Sequence, residues 1–166
     1  MPFKYYGGVH PDYAKTASKT PVRTISPPSV VVLPMIQQIG APNKPIVKVG
    51  DTVKMGQLIG SNDAPVSAPV HASVSGKVIA VEPRRHMLGD MVMSVVIEND
   101  FQDTPCEDMK PLTAEQLKDP DAIIARIREA GVVGMGGAMF PTAFKIQGAR
   151  GKVDTLIING AECEPY

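Results

Sequence analysis

The chain has 166 residues, with 17 lysines and arginines against 17 aspartates and glutamates, and no tryptophan. A formal charge of zero excludes, on composition, a nucleic-acid partner or an anionic membrane held by bulk electrostatics. Its 15 glycines and 16 prolines are close to a fifth of the residues, against about 12% on average; the chain is turn-rich, yet 43% hydrophobic residues suffice for one domain or two small ones.

No apolar run reaches the roughly 18–20 residues that cross a bilayer, and Met1-Pro2-Phe3-Lys4-Tyr5-Tyr6 lacks the apolar stretch of a signal peptide. A soluble, unsecreted chain without direct membrane insertion is expected. Cys106 and Cys163 stand far apart with no CxxC pair or Cys/His cluster, so neither a metal site nor a disulfide framework is indicated and the thiols read as reduced and cytoplasmic.

Residues 1–29 mix Gly7-Gly8, His10-Pro11, Pro21 and Pro27-Pro28 with few apolar positions, which predicts an extended arm with turns, a disordered tail being the alternative. From 30 to 100 short runs of β-branched residues are punctuated by Gly, Pro, Asn and Asp, the texture of many short strands. Two phrases stand out. Residues 46–60 read as strand, Gly50-Asp51 turn, Val53-x-x-Gly56-Gln57 step and strand; residues 66–81 give Ala68-Pro69, then Val74-Ser75-Gly76-Lys77-Val78 and an alternating strand. Gly50, Gly56 and Gly76 are expected at positive φ, with valines and isoleucines facing a small shared core. Residues 91–100 predict a closing strand ended by Asn99-Asp100, and Arg84-Arg85-His86 a solvated hairpin tip.

The pair V-x-x-G-D-x-V-x-x-G-Q-x-I and A-P…V-S-G-x-V resembles the biotinyl/lipoyl carrier fold, a barrel-sandwich hybrid of two similar halves. The resemblance implies a carrier lysine at the hairpin between the halves. Here that hairpin is 60–67, and no lysine occurs between Lys54 and Lys77, so biotin or lipoyl has no attachment point and a structural or docking role is expected for the module.

Residues 101–112 carry Asp103, Pro105, Glu107, Asp108 and Pro111 without periodicity and read as a linker. Beyond it the period becomes helical. Thr113 and Gln116 form a capping box, Asp119-Pro120 an N-cap with Pro at the first helical position, and Ile123, Ile124 and Ile127 an apolar stripe ending at Gly131. Next comes Gly134-Met135-Gly136-Gly137-Ala138-Met139-Phe140-Pro141-Thr142, followed by an expected strand over 153–159 and then Gly160-Ala161-Glu162-Cys163-Glu164. Three glycines in four positions expose backbone N–H groups and leave room for a planar ring or a phosphate. The spacing departs from G-x-G-x-x-G and a helix precedes it, so on spacing alone a structural turn and a cofactor loop are equally open. Glu162 and Glu164 fit helix capping as well as ligand contact, Cys163 fits a packed position, and His10 and His71 fit structural roles. No residue is singled out as catalytic.

G-x-G-G-A-x-F-P-T-x-x-K with the later I-N-G-A-E-x-E-P-Y resembles the NADH- and flavin-binding domain shared by the flavoprotein subunit of respiratory complex I and the C subunit of Rnf complexes. With Tyr6-Gly7-Gly8-Val9-His10-Pro11, Gln38-Ile39-Gly40-Ala41-Pro42 and the run 68–76, the chain is identified as a member of the RnfC family. The expected fold class is mixed α and β: a barrel-sandwich hybrid over 30–100, a linker over 101–112, and the beginning of an α/β NADH/FMN-binding domain over 113–166. The resemblance implies FMN and NADH as cofactors, with Gly134, Gly136, Gly137 and Ala138 against the flavin and nicotinamide, Lys145 near phosphate or ribityl oxygens, and Asn159, Glu162 and Glu164 in a second loop. Met135 and Ala161 stand where complex I relatives carry Arg and Asp, which puts those contacts in doubt.

One helix, one loop and one strand do not make a doubly wound sheet, so a piece of a longer protein is expected, with [4Fe–4S] motifs downstream and weak or no FMN binding by this piece alone. The implied function is electron transfer between NADH and iron–sulfur clusters in an ion-translocating complex, with the other Rnf subunits and NAD(H) as partners and a cytoplasmic, peripheral place at the inner face of the bacterial membrane. The alternatives are another NADH-dependent flavin/iron–sulfur reductase, of the cobalamin or amino-acid reductase type, and a non-catalytic docking module.

Overall fold

The computed structural model of the chain describes residues 19–155 and 157. Residues 27–153 form one compact unit. Outside it, residues 19–26 are exposed and carry no strand or helix, and in the other unit the Thr155 hydroxyl donates to the Asp154 carboxylate. The motif 6–11 and most of the expected arm lie outside the described residues.

The compact unit begins with β1 (Val30–Pro34), followed by β2 (Lys44–Pro45), β3 (Thr52–Val53), β4 (Leu58–Ser61), β5 (Val70–His71), β6 (Gly76–Arg85) and β7 (Met91–Asn99). All pairings are antiparallel, in one sheet of order β1-β7-β6-β3 and one of order β2-β4-β5. The first sheet contributes Val53, Val78, Val95 and Ile97 to the core, the second Ile59 and Val70, and Met35, Ala72 and Val74 complete it from the connections. β7 lies between β1 and β6, and its stretch Ser94-Val95-Val96-Ile97 is buried on both faces. This is the mixed α and β barrel-sandwich architecture that the strand texture predicts. The alternation has exceptions: Ile46, Val49 and Leu58 lie on the surface, and so does Ile79, at a bulge between Val78 and Ala80.

Gly50, Gly56 and Gly76 do take positive φ, at 96°, 81° and 152°. At Gly76 the reason is contact as well as conformation: a Cβ there would meet the Glu98 carbonyl oxygen at 1.9 Å. The neighbouring Ser75, 1% exposed, donates its hydroxyl to Asp100 at 2.7 Å and accepts from the Thr104 N–H at 2.9 Å. The Ser75 hydroxyl, helped by the Gln102 N–H, holds the Asp100 carboxyl below its ordinary pKa.

The segment read as a linker is bound along the barrel. Met55 bridges Pro105, the Cys106 N–H donates to the Met55 carbonyl at 2.8 Å, and Lys54 pairs with Glu107. That ion pair is exposed, so it contributes little beyond the backbone bonds beside it. At the far end of the long hairpin, Arg84 pairs with Glu82 at 2.6 Å, and the tip is closed by the His86 N–H on the Asp90 carbonyl. It is solvated, with Met87 and Leu88 at its apex.

Two helices follow. The Thr113–Gln116 capping box is made in both directions, at 2.9 and 3.3 Å, but it opens only a 3-10 turn, Gln116–Lys118. Helix α1 (Pro120–Glu129) starts where Asp119-Pro120 predicts, Asp119 accepting from the Asp121 N–H at 3.0 Å, and Gly131 ends it. Helix α2 (Thr142–Ala149) has no counterpart in the sequence expectation. The strand expected over 153–159 is not formed at Val153 or Thr155, and most of the rest lies outside the described residues.

Two outcomes follow from these contacts. Gly76→Ala lowers the unfolding free energy by about 3 kcal/mol through strain and collision with Glu98, measured by urea denaturation; a loss under about 1 kcal/mol contradicts the placement. Burial lowers the pKa of His71 from 6.5, so the unfolded chain binds the proton more readily than the folded one. Stability is therefore full above about pH 6.5 and falls as the pH drops below it, towards the depressed value. Denaturation midpoints at pH 5 and pH 7.5 should differ less in His71→Gln than in the wild type.

Candidate functional site

The glycine loop is set by its two flanking helices. After α1, Gly131 turns the chain at a φ of 66°, and Val133 bridges Pro141 in antiparallel fashion. Inside that bridge the Gly134 N–H donates to the Phe140 carbonyl at 3.0 Å and the Met139 N–H to the Gly136 carbonyl at 3.1 Å. Gly137 and Met139 both sit at a φ of 49°, and Phe140 stacks edge-on against Phe144, centroids 5.8 Å apart. The loop is thus closed at its base and shaped at its tip.

Within it, the N–H groups of Met135, Gly136, Gly137 and Ala138 make no hydrogen bond with the described residues. A Cβ on Gly136 or Gly137 would meet nothing within 4 Å, so the space over them is open. Lys145, one turn into α2, lays its Nζ 3.7 Å from where a Gly134 Cβ would be. The first turn of α2 has no side-chain cap, and its Thr142 N–H is taken by the Val132 carbonyl at 3.0 Å, so it adds the positive end of its dipole and the N–H groups of Ala143 and Phe144. Four amides without a partner among the described residues, with one ammonium group beside the loop and a helix starting directly after it, form an arrangement suited to phosphate oxygens and a flat ring.

The structure brings five of the expected site residues together: Gly134, Gly136, Gly137 and Ala138 on the loop and Lys145 beside it. Asn159, Glu162 and Glu164, with Ala161 and Cys163, lie outside the described residues. Met135, in the place of an arginine, is 95% exposed and brings no charge to the loop.

Two residues that sequence reasoning left without a role touch this site. The Ile39 N–H donates to the Ala138 carbonyl at 3.1 Å, and Arg128 Nη2 donates to the Pro65 carbonyl at 2.7 Å. Both join the loop or its leading helix to the barrel. Ile39 belongs to the Gln38-Ile39-Gly40-Ala41-Pro42 phrase, which carries the family resemblance but has no role assigned by it. Arg128 reads in sequence as one more charge on a solvated helix face.

A roomier groove, about 870 Å³, runs between the barrel and α1. Its lining sets Lys110, Arg126 and Arg128 against Asp63, Asp108 and Glu129, so its charges cancel and no set of donors converges there. Among the described residues, no group of His, Cys, Asp and Glu is arranged to hold a metal ion, and no helix is long and apolar enough to cross a membrane.

Comparison with known proteins agrees with both halves. Residues 3–102 match the model of the RnfC barrel sandwich hybrid domain, and residues 127–166 that of the Nuo51 FMN-binding domain. The chain is 51% identical over 164 residues to the C subunit of the Na(+)-translocating ferredoxin:NAD(+) oxidoreductase complex of Acetobacterium woodii, covering 98% of this chain and 37% of that protein. It is 44% identical over 165 residues to the C subunit of the proton-translocating ferredoxin:NAD(+) oxidoreductase complex of Clostridium ljungdahlii, covering 98% of this chain and 36% of the relative. The C subunit of the ion-translocating oxidoreductase complex of Klebsiella pneumoniae is also 44% identical over 165 residues, 98% of this chain and 22% of that protein. The chain thus spans little more than a third, or less, of the length of these relatives. A barrel-sandwich domain matched along its length, followed by the glycine loop of an FMN-binding domain, places the chain in the RnfC family.

Proposed function

We propose that this chain contributes the barrel-sandwich domain and the leading edge of the flavin site to an electron-transfer subunit of an ion-translocating NADH:ferredoxin-type oxidoreductase. The observation that carries the reading is the loop 134–138, with four amides unengaged by the described residues and open space at Gly136 and Gly137, inside the segment that matches an FMN-binding domain. The residues fit the cofactor: side chains at 136 and 137 would occupy the space a flat ring needs, and glycine leaves it clear.

In this reading the amides of residues 135–138 and Lys145 bind phosphate or ribityl oxygens, with charge-assisted hydrogen bonds from the ammonium group. Gly136 and Gly137 let the backbone approach the ring, and Asn159, Glu162 and Glu164 belong to a second loop that contacts flavin and NADH. Flavin held there would supply hydride exchange with NADH or NAD and single-electron exchange with iron–sulfur clusters. Those clusters, the other Rnf subunits and the place at the inner face of the bacterial membrane belong to the complex as a whole. The β4–β5 connection has no lysine, so it offers biotin or lipoyl no attachment point.

The test is a chain extended to the length of the relatives, titrated with FMN and then with NADH. FMN binds and NADH bleaches its absorbance; Lys145→Ala weakens FMN binding about tenfold, as loss of one hydrogen bond to a charged group implies. Gly137→Val blocks binding. Absence of both FMN binding and NADH-dependent bleaching contradicts the reading and leaves the docking-module alternative.

A further inference from the structure

We propose that the barrel positions the flavin-facing loop, with Arg128 and the Ile39 N–H as the positioning groups. The inference rests on the flavin reading above. Two barrel connections take part. The β1–β2 connection places its Ile39 N–H on the Ala138 carbonyl, at the exit of the glycine loop. The β4–β5 connection receives Arg128 on its Pro65 carbonyl, and its Pro69 carbonyl lies 2.6 Å from where a Cβ on Gly131 would stand. The segment 128–138 is therefore gripped at the end of its helix and again beyond its glycines.

The two connections are also fastened to each other. The Ala41 N–H donates to the Val66 carbonyl at 3.0 Å, and Asn43, 4% exposed, donates Nδ2 to the carbonyls of Met35 and Ala68. A displacement of either connection is thus transmitted to the other.

A loop with three glycines in four positions loses more backbone freedom on ordering than one built of residues with side chains. Affinity for a ligand that needs it ordered rises if that freedom is already removed before binding. Here its base is closed by Val133 and Pro141, and the barrel fixes the exit carbonyl and the entry helix. The connection that bears the lysine in carrier proteins of the resembling fold serves here as the seat for a helix.

The experiment measures hydrogen exchange of the bonded amides that close and seat the loop, those of Gly134, Met139 and Ile39, in this chain, with the β6 and β7 amides as an internal control. FMN affinity is measured in the extended chain. Arg128→Ala removes one bond without burying anything new, and speeds loop exchange about threefold to tenfold while β6 and β7 keep their protection. Gly131→Ala, which drives a methyl group into the Pro69 carbonyl, has a larger effect of the same kind. FMN affinity falls by matching factors, and Arg128→Lys recovers part of both losses. Unchanged loop exchange in Arg128→Ala and Gly131→Ala, or a loss of β6–β7 protection in step with the loop, overturns the proposal. If the extended wild type binds no FMN, the flavin reading fails, while loop exchange alone still decides whether the barrel holds the loop.

Discussion

The close approach of Gly131 to the Pro69 carbonyl is the constraint on which the arrangement of barrel and loop depends. Only a residue without a Cβ fits there, and only one that accepts a φ of 66° turns the chain from α1 into the loop. Because Pro69 follows directly on the buried Ser67-Ala68, the helix end rests against a packed part of the barrel. From that seat the Arg128 bond to Pro65, the bridge of Val133 to Pro141 and the bond from Ile39 to Ala138 follow as neighbours. The glycine loop is open on one side and tied to the barrel on the other.

This arrangement explains what a carrier-like barrel does without a carrier lysine. In a swinging-arm protein the connection between the halves must be free in solvent. Here the Ser67 hydroxyl bonds to the carbonyls of Asn62 and Ala64, the Asn62 amide bonds to the Pro42 carbonyl, and Arg128 caps Pro65. A connection so bonded is rigid, which suits a platform and defeats an arm. The same economy appears at residues 101–112, which run pinned along the barrel by Met55, Ser75 and Lys54.

The barrel was legible in the sequence because period-two patterning and Gly turns are local signals, and Gly50, Gly56 and Gly76 sit where turns demand them. Helix α1 was legible for the same reason, from Asp119-Pro120 to Gly131. Helix α2 was not, although Pro141 before it and Gly151, at a φ of 70°, mark its ends; eight residues with one glycine inside carry too weak a stripe to be read. The glycine loop itself stood out by composition, but the pairing of Ala138 with Ile39 and that of Arg128 with Pro65 join residues far apart in the chain, and no local pattern encodes such a pairing. The resemblance to the RnfC family supplied the cofactor, which spacing alone left open between a turn and a binding loop.

The central claim is that the loop 134–138 and Lys145 form the phosphate- and ring-facing edge of a flavin site. Amide NMR of the chain extended to the length of the relatives, titrated with FMN, tests it most directly, because even weak binding moves the signals of the residues in contact. The largest shifts are expected on Met135, Gly136, Gly137 and Ala138, and Lys145→Ala should reduce them. Shifts confined to the groove beside Arg126 and His71, or none at millimolar FMN, would contradict it.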